Sequence, residues 1–378
     1  MPAVRPVQLR RADLPDASEE AHLVPLLART VTTPISIDVR PGAIESLAPL
    51  LRDGRISTGG KVSIVIGPGH GDTIAAGLAE QLPRASIRVV EGGTLEAALE
   101  LMSALRTDFH DAVVGIGGGR TLDVAKYAAS MVGLPFVSVA TTLTHDGLAS
   151  PVASLESQGR KASYGVHVPI AVVVDIDQVR TAPAEHLVSG VGDVLSNLSA
   201  IADWELAREV RGEQVDGLAV SLARSAAEAL IAATPGTDHF LTIVADTLIL
   251  SGISMTMAGT SRPCSGACHE ISHALDAYHG SPGLHGAQVA LGALFASWLR
   301  AEAGIEDGDL FSRLDRALTL NGLPRQPADL GLTRAEFVAA VVEAPRTRPD
   351  RFTVLEHLEP SPAQIEELVD AFVATVDR

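Results

Sequence analysis

Residues 112–149 read AVVGIGGGRTLDVAKYAASMVGLPFVSVATTLTHDGLA, and this stretch decides the fold of the chain. The apolar run Ala112–Ile116 ends in three glycines, as is typical of a buried parallel strand. Residues 120–132 then carry apolar side chains at helical spacing, and Pro135–Val139 is a second apolar run. We therefore predict a strand, a helix and another strand in this order.

The glycines Gly117–Gly119 stand where the first of these strands turns into the helix. A helix start offers free N–H groups and a positive dipole end, which suit a phosphate. Glycine lets a pyrophosphate approach the backbone because no Cβ intervenes. Three glycines can also be a simple turn, but the flanking strand and helix, with Thr141-Thr142 after the next strand, favour a nucleotide site.

The whole composition indicates an ordinary globular enzyme. The 378 residues are 46% hydrophobic and 20% charged, enough for two domains with sizeable cores. A net charge of −17 argues against nucleic acid and anionic membranes as partners. Cysteine occurs only as Cys264 and Cys268, the first twenty residues lack the apolar stretch of a secretory signal, and no uninterrupted apolar run is long enough to span a membrane. We expect a cytoplasmic protein without membrane insertion.

Strand–helix alternation from residue 34 to about 150 predicts a parallel, doubly wound sheet. A polar hairpin or loop over residues 151–168 and a last strand at Ile170–Asp175 complete it. Beyond Pro183 the chain changes to alanine-rich helical patterns at residues 184–206, 216–233, 240–257, 268–277, 286–303 and from 363. The predicted fold class is α/β, with a Rossmann-like parallel sheet domain followed by an all-helical domain. The predicted divisions are an N-terminal extension at 1–33, a dinucleotide-binding domain at 34–180 and a metal- and substrate-binding domain at 181–378.

The helical half carries candidate metal ligands. Asp193 lies early in a helical pattern, and His269 and His273 share one helix face because they are four residues apart. His285 stands at another helix start. A carboxylate with two imidazoles suits a catalytic divalent metal such as zinc or iron. Asp193 alone could equally be a structural carboxylate, but four histidines between positions 269 and 285 favour a metal role for at least two of them.

The segment His269–His273 also has the HExxH pattern of zinc proteases. His279 falls where a metzincin has its third histidine, but Asp276 stands where that pattern needs glycine. No methionine follows Met257, so the Met-turn of that class is missing. We regard a protease as the weaker hypothesis.

Several long motifs in order resemble the iron-containing (group III) alcohol dehydrogenase and dehydroquinate synthase-like superfamily, and within it most closely the sn-glycerol-1-phosphate dehydrogenases. The similar stretches are GIGGGRTLDVAKYAA (115–129), TTLTHDGLASP (141–151), PIAVVVD (169–175), SGVGDVLSNLSAIADW (189–204), SRPCSGACHEISHAL (261–275) and LHGAQVALG (284–292). The resemblance covers residues 34–375 and implies a dehydroquinate synthase-like fold.

The resemblance also implies roles for individual residues. Its metal ligands would be Asp193, His269 and His285. Its substrate contacts would be Asp146, Asp193 and His273, which makes His273 a non-ligand. Its pyrophosphate contacts would be Gly118, Gly119, Arg120, Thr121 and Leu122, and its nicotinamide side would be lined by Thr141, Thr142, Thr144 and Ser150.

The activity implied is reduction of dihydroxyacetone phosphate to sn-glycerol 1-phosphate by NADH or NADPH, with a divalent metal polarising the carbonyl. The proton would come from water or through His273 or His145. Zinc is the first choice of metal, with iron and nickel as alternatives, and family members imply a homo-oligomer. Alternatives are another alcohol or polyol dehydrogenase, a sugar-phosphate cyclase, and a non-catalytic nucleotide-binding relative. The cyclases carry glutamate and lysine where this chain has Asp193 and Asn197.

One departure concerns the phosphate of the substrate. The glycerol-phosphate enzymes have a lysine shortly before the strand at Pro169, whereas residues 163–167 here read SYGVH. A phosphate dianion needs cationic donors, and Arg262, His273 and Lys161 remain as candidates. Four other arginines are expected on a solvated face: Arg300, Arg346, Arg348 and Arg351.

Overall fold

A sheet of six parallel strands forms the centre of the N-terminal half. The structure is a computed structural model that describes residues 31–68 and 71–377. The strand order is β1-β8-β5-β4-β2-β3, and β6 and β7 form a separate antiparallel pair. The bounds are β1 Ser36–Arg40, β2 Val62–Ile66, β3 Ser86–Val89, β4 Ala112–Gly117, β5 Phe136–Ala140, β6 Val152–Ser157, β7 Arg160–Gly165 and β8 Ala171–Asp175.

The inner strands are buried over nearly their whole length. β2 (VSIVI), β5 (FVSVA) and β8 (AVVVD) have no exposed residue, and β4 is buried up to Ile116. Continuous runs rich in β-branched side chains suit a strand that is covered on both faces. The strands predicted at residues 62–66, 112–116, 135–139 and 170–175 are confirmed, as is the parallel sheet.

Helices connect the strands and cover the sheet. Their bounds are α1 Leu47–Leu51, α2 Gly71–Gln81, α3 Leu95–Asp108, α4 Gly119–Met131 and α5 Ile176–Thr181. The hydroxyl of Thr94 accepts from the N–H of Ala97 at 3.1 Å and caps α3, as its position predicts.

The polar segment after residue 150 is a hairpin. β6 and β7 pair antiparallel from Val152↔Gly165 to Ser157↔Arg160. The ring of Tyr164 packs edge-on against Tyr127 of α4, with ring centroids 5.3 Å apart. The hairpin is thereby attached to the sheet half and carries Lys161 towards the helical half.

After α5 the described chain contains helices and no further strand. Their bounds are α6 Ala184–Arg211, α7 Gly217–Ala232, α8 Asp238–Ala258, α9 Ala267–Tyr278, α10 His285–Glu302, α11 Asp309–Leu320, α12 Arg334–Thr347, α13 Val354–Leu358 and α14 Pro362–Val376. The predicted helical half is confirmed. α11, α12 and α13 were not among the predicted helices.

By length and composition alone, helix α8 could cross a membrane, because the mean hydropathy of its most apolar window of 18 residues is 1.7. It packs against α7 and α6, and 56% of its most apolar window is buried inside the protein. Helices in the core of a globular protein can be equally long and apolar, because a helix that is buried in the interior is apolar on all its faces.

From Thr33 onward the chain is one compact unit. Strands give way to helices at Asp175, close to the predicted boundary near residue 180. That the two parts are separate domains stays a prediction. Most of the predicted extension at 1–33, and Gly69 and His70 in the turn after β2, lie outside the described residues.

Two glycines let α6 and α10 approach until their backbones touch. A Cβ at Gly286 would lie 1.7 Å from the carbonyl oxygen of Ser189, and a Cβ at Gly192 would lie 2.2 Å from that of Gly286. The N–H of Gly286 also donates to Ser189 Oγ at 3.0 Å. This contact places Asp193 and His285, the chain neighbours of the two glycines, opposite each other.

The prediction that Arg300 lies on a solvated face is wrong. Its side chain is fully buried, and its Nη1 donates to Asp203 Oδ1 at 2.8 Å while its Nε donates to Glu306 at 3.0 Å. Asp203 also accepts from the backbone N–H groups of Ala267 and Val354. One buried carboxylate therefore ties α6, α10 and the beginnings of α9 and α13 together.

Candidate active site

A cleft of about 1310 Å³ runs between the carboxyl ends of the strands and the helical half. Of the predicted cofactor-binding residues, those that line it are Gly118, Gly119, Arg120, Thr121, Thr141, Thr142, Thr144 and Ser150. Leu122 instead lies in the core, with 1% of its surface exposed. The predicted substrate contacts Asp146 and His273 line the cleft with His269 and His285, and Asp193 is buried beside them. Ligands bind at this edge in open α/β sheets.

The glycine turn between β4 and α4 forms a concave backbone surface. Gly118 caps α4 without a side-chain partner, and the first bond of the helix runs from Leu122 N–H to Gly118 O. The N–H groups of residues 119–121 therefore have no acceptor within the helix. A Cβ at Gly119 would lie 2.1 Å from His145 Nε2, so only glycine leaves this space open. Thr142 Oγ1 is buried at the same place without a hydrogen-bond partner. Free donors and an unsatisfied hydroxyl fit a pyrophosphate.

Three side chains bring metal-type donor atoms together. Asp193 (α6), His269 (α9) and His285 (α10) each offer one ligand atom, and these atoms lie within 4.8 Å of one another. Asp193 Oδ1 is 3.7 Å from His285 Nε2 and 4.0 Å from His269 Nε2, while its Oδ2 accepts from the N–H of Asp146. Burial lowers the pKa of both histidines, so their rings are neutral and have lone pairs to offer.

A chain of hydrogen bonds fixes the proton of His285. Gln288 Nε2 donates to Asp276 Oδ1, which leaves Gln288 Oε1 to accept from Ser272 Oγ at 2.6 Å. Because the single hydroxyl proton of Ser272 is used there, His285 Nδ1–H donates to Ser272 Oγ at 3.2 Å. Nε2 then turns a lone pair towards the Asp193 carboxylate. Two acceptors facing each other need a cation between them, and such outer partners are typical of metal-bound histidines. The donor set therefore fits a divalent metal.

Two further titratable groups lie next to these donors. Burial and then the neighbouring Asp193 raise the pKa of Asp146. Burial and then the Arg348 guanidinium lower the pKa of His273 to about 3. Arg348 Nε donates to His273 Nδ1 over 3.4 Å, so the neutral ring carries its proton on Nε2. His145 likewise accepts at Nδ1 from Gly147 N–H, and its proton is on Nε2.

Glu270 does not behave as the general base of an HExxH protease. It is fully buried outside the cleft lining, and Thr353 Oγ1 lies 3.1 Å from its Oε2. Burial, with the nearby Glu356 and Asp203, raises the pKa of Glu270 to about 9. A protonated carboxyl away from the histidines cannot activate a water at their metal. The geometry opposes the protease hypothesis.

We expect Glu270→Gln to stabilise the protein at pH 8 and to leave turnover intact. The folded state holds a proton on Glu270 that the unfolded chain loses above its ordinary pKa of 4.5. The free energy of unfolding of the native sequence therefore falls as pH rises from 4.5 towards 9, and glutamine removes that fall. The gain at pH 8 is roughly 2–4 kcal/mol, measured by urea unfolding at pH 5 and pH 8. Glu100→Gln is the exposed control, and a difference between Glu270→Gln and the native protein that is equal at both pH values would contradict the expectation.

The cationic side chains near the cleft are arranged differently from the prediction. Arg262 is bound to Glu213 and to the carbonyl of Phe352, and Lys161 pairs with Asp276 at 3.0 Å. Arg346 is exposed as expected. Arg348 and Arg351 are not on a solvated face: both are half-buried, and Arg348 lines the cleft. No pattern marks them in the sequence, because only folding brings Arg348 beside His273, 75 residues earlier.

The sequence matches the family described as iron-containing alcohol dehydrogenase over residues 38–183. A glycerol-1-phosphate dehydrogenase [NAD(P)+] of Archaeoglobus fulgidus is 37% identical over 289 residues, 75% of this chain and 81% of the relative. The enzyme of the same name from Cenarchaeum symbiosum is 35% identical over 88% of this chain and 93% of its own length.

Solved structures agree on the fold. A probable glycerol dehydrogenase from Sinorhizobium meliloti superimposes with a TM-score of 0.73 at 23% identity, covering 93% of this chain and 99% of its own. An iron-containing alcohol dehydrogenase from Thermotoga maritima gives a TM-score of 0.68 at 17% identity, over 91% of this chain and 99% of its own.

Proposed function

The chain belongs to the iron-containing alcohol dehydrogenase family, and we propose that it interconverts dihydroxyacetone phosphate and sn-glycerol 1-phosphate with NAD(H) or NADP(H). The observation that carries this is the meeting of two half-sites in one cleft. The glycine turn after β4 lines the same cleft as His269 and His285, with Asp193 buried beside them. Such a cleft brings a nucleotide and a small ketone together.

We assign the nucleotide to the turn and the metal to the three donors. Residues 118–121 would bind the pyrophosphate through backbone N–H groups, with Leu122 supporting them from the core. Thr141, Thr142, Thr144 and Ser150 would line the nicotinamide side. When bound, a divalent cation would supply Lewis acidity to the carbonyl oxygen, and the nicotinamide would supply the hydride. Zinc is our first choice among zinc, iron and nickel, because a carboxylate with two imidazoles suits it.

Protein side chains would orient the substrate and manage its proton. His273 carries a proton on Nε2 and is neutral in the working range, so it can donate a hydrogen bond to a substrate oxygen. Asp146, held against Asp193 by its own N–H, would contact a substrate hydroxyl. His145, with its proton on Nε2, is the second group that can pass a proton to the oxygen that gains it.

We also propose a cytoplasmic homo-oligomer. Both cysteines are free and buried, which suits a reducing compartment. The edge strand β3 exposes Ile87 and Val89, and Phe109 is 82% exposed near its beginning, where Ser86 contacts His110. Apolar side chains grouped on an edge strand support association.

Oxidation of NADH or NADPH by dihydroxyacetone phosphate tests the proposal. We expect turnover with this ketone in metal-reconstituted protein, loss of turnover on chelation, and recovery with one divalent metal. Dihydroxyacetone is the matched substrate without phosphate. Activity on dihydroxyacetone alone would make the protein a dehydrogenase of unphosphorylated polyols instead.

A further inference from the structure

The segment after α12 carries two neighbouring guanidinium groups, Arg348 in the wall of the cleft and Arg351 next to it. Arg348 Nη1 donates to Ser261 Oγ at 3.2 Å, and Arg351 Nη2 donates to the same oxygen at 3.0 Å. Arg351 also donates to the backbone carbonyl of Ser265. Arg348 lines the cleft, and both arginines line a smaller pocket of about 380 Å³ whose wall also contains Glu213 and Asp350. Both side chains are thus held by neutral oxygens.

The charges of the two arginines are not neutralised by a direct ion pair. Within residues 31–68 and 71–377, no ion pair joins either one to a carboxylate, although Arg262 and Lys161 nearby are both paired. Two half-buried like charges side by side are unfavourable unless an anion joins them.

Their position is fixed relative to the reacting groups. Arg348 Nε lies 3.4 Å from His273 Nδ1, and the ring of His273 lies 6.4 Å from that of His269. Ser265 also lines the cleft here, and its hydroxyl is buried without a hydrogen-bond partner. An anion bound to Arg348 would therefore lie near the proposed metal ligands, with little more than the ring of His273 between them.

We propose that Arg348 binds the phosphate of the substrate, with Arg351 as a positioning residue that acts through Ser261. This rests on the proposed function and names the phosphate subsite of that same site. In dihydroxyacetone phosphate only a methylene and an ester oxygen separate phosphorus from the carbonyl carbon. This short separation agrees with the structure, in which Arg348 contacts His273 and the ring of His273 lies next to that of His269. A guanidinium offers a planar fork of donors to phosphate oxygens. Arg348 thereby supplies the positive charge that comes from a lysine before β8 in relatives of the glycerol-phosphate type, a lysine that this chain lacks.

The test is the preference for the phosphorylated ketone. We expect Arg348→Gln to lower the ratio of kcat/KM for dihydroxyacetone phosphate to that for dihydroxyacetone by about tenfold to a hundredfold. Arg346→Gln, two residues away and exposed, is the matched control and should keep the ratio. Because both substrates are measured on the same variant, a loss of folded protein cancels. Arg348→Lys keeps the charge but not the fork, so its ratio should lie between those of Arg348→Gln and the native protein. It replaces Arg348→Gln in the test if the glutamine variant does not fold.

A binding experiment separates this inference from the proposed function. Inorganic phosphate is titrated by calorimetry into the metal-loaded protein, and we expect its affinity to fall about tenfold or more in Arg348→Gln but not in Arg346→Gln. If the native protein does not reduce dihydroxyacetone phosphate, the proposed function fails, and this titration alone decides the subsite. An unchanged phosphate affinity and an unchanged substrate ratio in Arg348→Gln would overturn the inference, as would an equal fall in Arg346→Gln.

Discussion

His285→Ala is expected to reduce turnover of dihydroxyacetone phosphate to about one thousandth or less of the native rate. The substitution removes one of the three donors that lie within 4.8 Å, and Lewis-acid stabilisation of a developing alkoxide is worth several kcal/mol. The glycine turn after β4 supplies none of these three donors and keeps its backbone N–H groups. NADH binding, measured by fluorescence titration, should therefore stay within about threefold of the native value, since that change is within the usual range of surface effects.

Metal content distinguishes a lost ligand from a general defect. Elemental analysis after dialysis should show much less bound metal in His285→Ala than in the native protein. His279→Ala is the matched control, because His279 stands at the end of α9 and does not line the cleft. Native turnover and native metal content in His285→Ala would remove His285 from the metal site.

Gly286→Ala is expected to lower the free energy of unfolding by roughly 3 kcal/mol or more and to weaken metal binding at least tenfold. The added Cβ would lie 1.7 Å from the carbonyl oxygen of Ser189, which is backbone and cannot rotate away. α6 and α10 must then separate, and this moves Asp193 away from His285. The loss should thus appear in both the urea unfolding curve and the metal titration.

Gly77→Ala provides the comparison for this substitution. Gly77 lies in α2, is exposed, and has nothing within 4 Å of its added Cβ. Alanine there should stabilise the protein by about 0.5–1 kcal/mol through helix propensity. A Gly286→Ala protein as stable as Gly77→Ala, with native metal affinity, would show that the helices do not depend on their close approach.

The strands could be predicted because their signal is local. Runs such as Val62–Ile66 and Ala112–Ile116 are β-branched, continuous and bounded by turn residues. Part of the C-terminal half gave weaker signals. α11 (DLFSRLDRALTL) mixes charges with its apolar stripe, and α12 holds Pro345 in its last turn, so neither resembles the alanine-rich helices before them.

Part of the candidate site could be predicted from the sequence. Spacing placed His269 and His273 on one helix face but could not say which of them meets Asp193, because that depends on how α9 packs against α6. Resemblance selected His269, and the structure brings its Nε2 to 4.0 Å from Asp193 Oδ1. Arg348 was missed because charge in a polar segment is usually solvated. Its partners Ser261 and His273 belong to a segment far away along the chain.

The buried Asp203–Arg300 pair constrains how this sequence can diverge. Removing one member of such a pair leaves an uncompensated charge in the interior, which costs about 3–5 kcal/mol, whereas replacing both together can be nearly neutral. Asp203 also holds the N–H groups of Ala267 and Val354, so a new residue must satisfy those donors as well. Evolutionary change at these two positions should therefore be correlated. Homologues that have lost Asp203 should lack Arg300 too, and should begin α9 and α13 with other capping residues.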